Sequence, residues 1–213
     1  MKRIVGFLML MAPVFLFAQI TPASTGPKPQ KRSIGFGIRA GFNFANVTNA
    51  SAVNASNRAG FNAGIFLAPS TRGVLGSRTE LSYSRHGYNY ASDTANGSVN
   101  LDYIALAQLM AIHITRYVEI DIGGQTAYLL SARIDSSKQM ATGNAELNSA
   151  LSYYNRFDYG FGGGVEVHPV AGLLIGARYN ISLSNLYKQS FMPSASSINL
   201  KNNVVQVYAG YRF

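Results

Sequence analysis

The chain has no cysteine. That excludes a disulfide scaffold, thiol chemistry and lipid attachment through an N-terminal cysteine. Charge is scarce as well, at 13% of residues against roughly 25% in an average soluble domain. Beyond residue 19 no apolar run reaches the ~18 residues of a transmembrane-helix candidate, which excludes a helical membrane protein. What is abundant is glycine, with 21 residues, and aromatic side chains, with 13 tyrosines and 12 phenylalanines. Low charge, many aromatics and a mean hydropathy of +0.07 suit a wall with one face in lipid and one in a polar interior.

The N-terminus stands apart. Lys2 and Arg3 precede an apolar stretch over residues 4–17, broken by Pro13 and followed by Ala18-Gln19. A basic start, a short apolar core and a small residue at the cut make a secretory signal peptide, residues 1–18. A spanning anchor needs ~20 apolar residues and no proline in the middle, so the anchor reading fails on length. Residues 19–32 carry Pro22, Gly26, Pro27, Lys28, Pro29, Lys31 and Arg32 and read as a flexible periplasmic tether. The formal charge is +9, and +7 once Lys2 and Arg3 are removed. A basic chain can bind nucleic acid. An exported one meets anionic lipopolysaccharide instead, so no nucleic-acid partner is expected.

From residue 33 to 213 the pattern has period two in eight segments. They cover about 34–45, 58–68, 77–90, 99–114, 118–134, 155–168, 173–187 and 204–213. In the first, Ile34, Phe36, Ile38, Ala40, Phe42 and Phe44 oppose Gly35, Gly37, Arg39, Gly41 and Asn43. The last places Val205, Val207, Ala209, Tyr211 and Phe213 on one face. The fourth is apolar on both faces. Connections alternate too: long after odd segments (46–57, 91–98, 135–154, 188–199), shorter after even ones (69–76, 115–117, 169–172). Long outer loops and short periplasmic turns mark outer-membrane barrels. The expectation is all-β: a closed antiparallel up-and-down eight-stranded transmembrane barrel in the Gram-negative cell outer membrane. Closure is forced, because an open edge in hydrocarbon leaves a row of amides unsatisfied. A soluble β-sandwich requires neither the loop alternation nor aromatic outer faces.

If the polar faces point inward, the lumen collects Arg39, Arg78, Arg133, Arg156, Arg178 and Arg212 with Glu80, Glu119, Asp121, Asp158 and Glu166. Buried charges are paired or hydrogen-bonded. A near-balanced set reads as a salt-bridge network that plugs a small barrel; the alternative is a small ion path.

Several stretches carry a family resemblance. They are Gly37-Ile-Arg-Ala-Gly-Phe-Asn-Phe44, Leu101-Asp-Tyr-Ile104, Gln125-Thr-Ala-Tyr-Leu-Leu-Ser-Ala-Arg133, Arg156-Phe-Asp-Tyr-Gly160, Gly176-Ala-Arg-Tyr-Asn180 and Gly210-Tyr-Arg-Phe213. In their order and spacing they resemble the PorT-like outer-membrane β-barrel proteins of the Bacteroidota. The resemblance implies an eight-stranded outer-membrane barrel and, through the family's namesake, an accessory role in protein secretion. It also implies that Tyr211 and Phe213 form part of the signal read by the barrel-assembly machinery. Ala105 and Ala107 stand where family members often carry Glu and Pro.

The histidines His86, His113 and His168 are the candidates for chemistry. A lipid A-modifying enzyme needs a serine, a positioned histidine and an acid. Ser84 and His86 share a face with Glu80 further along. A polar lumen strand explains the same residues. His113 lines the wall or an interface, His168 precedes Pro169 at a turn, and no spacing suggests a structural zinc site. Gly162-Gly-Gly164 lacks the Lys-Ser/Thr of a phosphate loop and reads as a packing point in the wall. Asn-x-Ser/Thr triplets at Asn46, Asn49, Asn54 and Asn96 reflect loop composition. Tyr88, Tyr90, Tyr117, Tyr187 and Tyr211 sit where interface girdles belong. The sequence therefore points to a non-enzymatic structural or adaptor barrel without cofactor. A small pore is the alternative, and a barrel enzyme a weaker one.

Overall fold

A computed structural model describes residues 34–48, 54–69, 73–91, 96–136, 154–185 and 201–213. The signal and tether segments and most of the long loops lie outside the described residues, as do the side chains of Tyr88 and Tyr90 and all of Tyr187. The strands are β1 (Ile34–Thr48), β2 (Asn54–Pro69), β3 (Leu75–Ala91), β4 (Asn96–His113), β5 (Val118–Ser136), β6 (Phe157–Val167), β7 (Leu173–Ser182) and β8 (Lys201–Arg212). Each pairs antiparallel with its sequence neighbours, and β8 returns to β1 to close the barrel. The seam runs from Gly37 opposite Arg212 to Thr48 opposite Lys201. Phe213 N–H adds one more bond, to Phe36 O at 2.8 Å.

Period-two sequence becomes two-sided wall. Phe42, Phe161 and Phe213 are 64%, 62% and 69% exposed on the outside. Ile38, Ile65, Ile122, Val165 and Ile175 join them. An apolar surface that encircles a chain has no place in water and matches a hydrocarbon shell. Crossing that shell takes about 9–11 residues per strand. β6 to β8 have 11, 10 and 12, whereas β1 to β5 run to 15–19 and so project past it.

The inside is divided. Towards the long-loop end β4 and β5 contribute apolar residues: Val99, Leu101, Tyr103, Leu129 and Ala132 are buried. This settles the facing of β4. Towards the end bearing the short turns lie the charges, with Phe66, Ala68, Leu174 and Tyr208 packed beside them. Gly37 passes directly across the Phe66 ring, so close that a Cβ there would lie 2.1 Å from Cζ. At the β6–β7 turn Gly172 has φ of +82°, the left-handed region, and a Cβ would sit 2.8 Å from Arg212 O.

One register feature corrects the sequence expectation. Opposite Asp102 and Tyr103, β5 carries Ser131 and Leu129, leaving Leu130 as an extra residue in a β-bulge. A one-residue slip exchanges the faces. Ala132, placed outside by the alternation, is fully buried inside, and Arg133 is exposed on the outer side.

Candidate functional site

Seven charged side chains meet in the lumen. Arg39 comes from β1, Arg78 and Glu80 from β3, Glu119 and Asp121 from β5, Glu166 from β6 and Arg178 from β7. None exceeds 5% side-chain exposure. Each points inward because its residue number falls in the inward phase of its strand. Arg178 grips Glu80 with both prongs, Nη1 to Oε2 at 2.6 Å and Nη2 to Oε1 at 3.0 Å, and Nη2 reaches Asp121 Oδ2 at 3.2 Å. Arg39 Nη1 donates to the same Glu80 Oε2 at 2.9 Å. Arg78 spans the remaining acids: Nη2 to Glu119 Oε1 at 2.8 Å, Nη1 to Asp121 Oδ2 at 3.1 Å, and Nη1 also to Glu166 Oε1. The planar fork of arginine suits such shared carboxylates.

β8 completes the cluster with two groups that charge counting missed. Gln206 accepts from Arg39 Nη2 at 2.9 Å. Tyr208 donates its hydroxyl to Glu166 Oε1 at 2.8 Å, and the Arg39 guanidinium lies 4.0 Å from its ring centroid. Both residues share the inward face of the last segment, which was the available signal.

Four residues expected in the network stand elsewhere. Arg133 is turned out by the bulge. Arg156 is exposed, because it precedes β6 and escapes the strand's alternation; its Nη1 is 3.4 Å from Tyr128 OH. Asp158 faces inward but nearer the long loops, where the Ser182 hydroxyl donates to it at 2.5 Å and that of Ser184 donates as well. Arg212 donates from Nη2 to Ala68 O at 2.9 Å at the short-turn mouth.

Ser84 and His86 do meet, with Oγ 2.8 Å from Nε2. Ser84 is 1% exposed and also accepts from Asn43 Nδ2 at 2.8 Å, in a ladder that Asn62 extends by donating to Asn43 Oδ1 at 2.8 Å. The hydroxyl is thus enclosed in a polar layer rather than presented to a substrate. Outside, Arg85 and Asp102 form a two-pronged pair, Nε to Oδ1 at 2.6 Å and Nη2 to Oδ2 at 3.2 Å, with the guanidinium 5.2 Å from the Phe61 ring centroid. Neither was foreseen, because the pairing crosses two strands.

A closed antiparallel barrel with an apolar outer face and a polar interior defines the class of outer-membrane β-barrels. The outer membrane protein beta-barrel domain family matches residues 17–188, and the chain belongs to that family. Among solved structures it is similar to Ail, the attachment invasion locus protein of Yersinia pestis. That match has 16% identity, covers 85% of this chain and 99% of that one, and gives a TM-score of 0.50. Neisserial surface protein A matches at 14% identity over 86% and 100% of the two chains, TM-score 0.49. OprG from Pseudomonas aeruginosa matches at 13% over 86% and 98%, TM-score 0.46. At these identities the likeness shows fold alone. No curated protein matches the chain. The family places the protein in the outer membrane, in contact with its lipids.

Proposed function

We propose that the protein is a non-enzymatic, plugged barrel with a structural or adaptor role, holding loops outside the cell and a tether in the periplasm. One observation carries this: the Arg39, Arg78 and Arg178 cluster with its four acids is inaccessible to solvent, at 5% exposure or less. A water-filled path would leave those groups wet. In planar lipid bilayers the purified protein should give no steady single-channel current; stable open levels would establish the pore reading instead.

The resemblance to PorT-like proteins supports an adaptor place beside secretion-system components. It also supports Tyr211 and Phe213 as a signal for the barrel-assembly machinery. The charge pattern of residues 1–18 supports export through a cleaved signal peptide, and the basic balance supports lipopolysaccharide as a lipid partner.

Against an enzyme stands the burial of Ser84. Replacing His86 with alanine should leave the acylation pattern of lipid A unchanged by mass spectrometry. A changed pattern would make Ser84 and His86 a working pair.

A further inference from the structure

The short-turn mouth of the barrel gathers groups that the plug does not use. Glu119 on β5 and Glu166 on β6 each give one oxygen, Oε1, to Arg78. Their second oxygens face the other way, towards two histidines. His168 Nε2 lies 3.7 Å from Glu166 Oε2 and 3.9 Å from Glu119 Oε2. His113 Nε2 lies 3.0 Å from Glu119 Oε2. Among the described residues, Glu119, Glu166 and His168 bring one ligand atom each to within 4.8 Å of one another.

Glu166 is fully buried, yet its Oε2 has no hydrogen-bond partner, and neither has His168 Nε2. Buried polar atoms in native proteins are seldom left so. Here a carboxylate oxygen and an imidazole nitrogen point at the same gap. The gap opens onto a cavity of about 660 Å³ at the mouth, lined in part by Val74, Tyr117, Val170 and Gly172.

We propose that this mouth binds a divalent transition-metal ion of the zinc type. Glu119 Oε2, Glu166 Oε2 and His168 Nε2 are its ligands, and an open position faces the cavity. Two carboxylates and an imidazole suit such an ion, whose bonds of about 2.0–2.2 Å put neighbouring ligand atoms roughly 3.3–3.5 Å apart in a tetrahedron. The two spacings from His168, 3.7 and 3.9 Å, need only a few tenths of an ångström of contraction, and the three ligand atoms already lie within 4.8 Å of one another. Arg78 supplies the outer support that ligating carboxylates require, fixing both Oε1 atoms so that both Oε2 atoms are presented. Its positive charge is more than matched, since three guanidiniums in the cluster face four carboxylates. Two further cations line the cavity, but each is engaged elsewhere: Arg116 lies 4.5 Å from the Tyr117 ring centroid and Arg212 bonds Ala68 O. Magnesium and calcium fit less well, because they take oxygen ligands.

The test uses the folded, untagged chain in detergent. Zinc binding is followed by titration calorimetry, and cobalt(II) serves as a visible-absorption probe of ligand geometry. One equivalent should bind, and cobalt should show intense bands of low coordination that zinc abolishes and excess magnesium does not. Replacing His168 with alanine, or Glu166 with glutamine, removes a ligand. Each should lower affinity by at least the ~100-fold that losing an outer-shell partner can cost. His168 follows the last residue of β6, so its substitution leaves the wall intact and decides the matter if the Glu166 variant fails to fold. Heat-modifiable gel migration verifies the fold of each variant. Absence of a one-equivalent site, or one of unchanged affinity in H168A, overturns the assignment.

Discussion

Arg178→Met should destabilise the barrel by about 3–5 kcal/mol, the range for removing one partner of a buried ion pair. The reason is what stays behind. Glu80 would lose a two-pronged donor and keep its 2.9 Å bond from Arg39 and a distant Arg78, while Asp121 would depend on Arg78 alone. Denaturant titration in lipid vesicles, read by heat-modifiable migration, measures the loss. Adding Glu80→Gln removes the orphaned charge with its partner, so the double variant should recover part of it. Arg156→Ala is the control: that residue is exposed, and its effect should stay within about 0.5 kcal/mol. A loss below about 1 kcal/mol for Arg178→Met would mean that the carboxylates take up protons or water at little cost, and the plug would not be a stabilising ion cluster.

Gly37→Leu should produce the second large effect. A Cβ at this position meets Phe66 Cζ at 2.1 Å and Cε1 at 2.5 Å. The ring has little freedom to retreat, being 1% exposed with the Arg78 guanidinium 5.1 Å from its centroid. Overpacking of this kind costs about 1–3 kcal/mol, and the lumen's rigid wall puts this site at the upper end. Phe66→Ala alone should cost about 3–5 kcal/mol through the cavity it leaves. Combined, the leucine fills that cavity, and the double variant should be clearly more stable than the sum of the two losses predicts. Strict additivity in the same denaturant assay would show that the two residues do not share space.

Alternation made most of the wall legible. The inward phase of Arg39, Arg78, Glu80, Glu119, Asp121, Glu166 and Arg178 follows from period two alone, once closure is assumed. The errors have local causes. Arg133 was misplaced because a bulge at Leu130 has no signature in the residue types themselves. Arg156 was misplaced because β6 begins at Phe157, two residues later than the pattern suggested. Tertiary pairs were beyond reach: Arg85 meets Asp102 from the neighbouring strand, and His168 meets Glu119 across β5 and β6. Residue types and spacing within one segment carry no information on which column of the next strand lies alongside. The family resemblance likewise concerned the wall, so it predicted a barrel and not the contents of its mouth.

The distribution of the charge cluster among strands constrains how the chain enters the membrane. Arg39 is on the first strand, Arg178 on the seventh, and their common partner Glu80 on the third. No short run of neighbouring strands holds all the partners of its charges: Arg78 has Glu80 on its own strand but Glu119 and Asp121 on β5 and Glu166 on β6. A hairpin or half-sheet entering lipid alone would face hydrocarbon with guanidiniums whose partners had not arrived, at about 2–4 kcal/mol for each near the midplane. Sequential insertion is therefore uphill until the last strands dock. The molecule must cross as a nearly finished cylinder, or be threaded along a surface that keeps its inner face hydrated until the seam shuts.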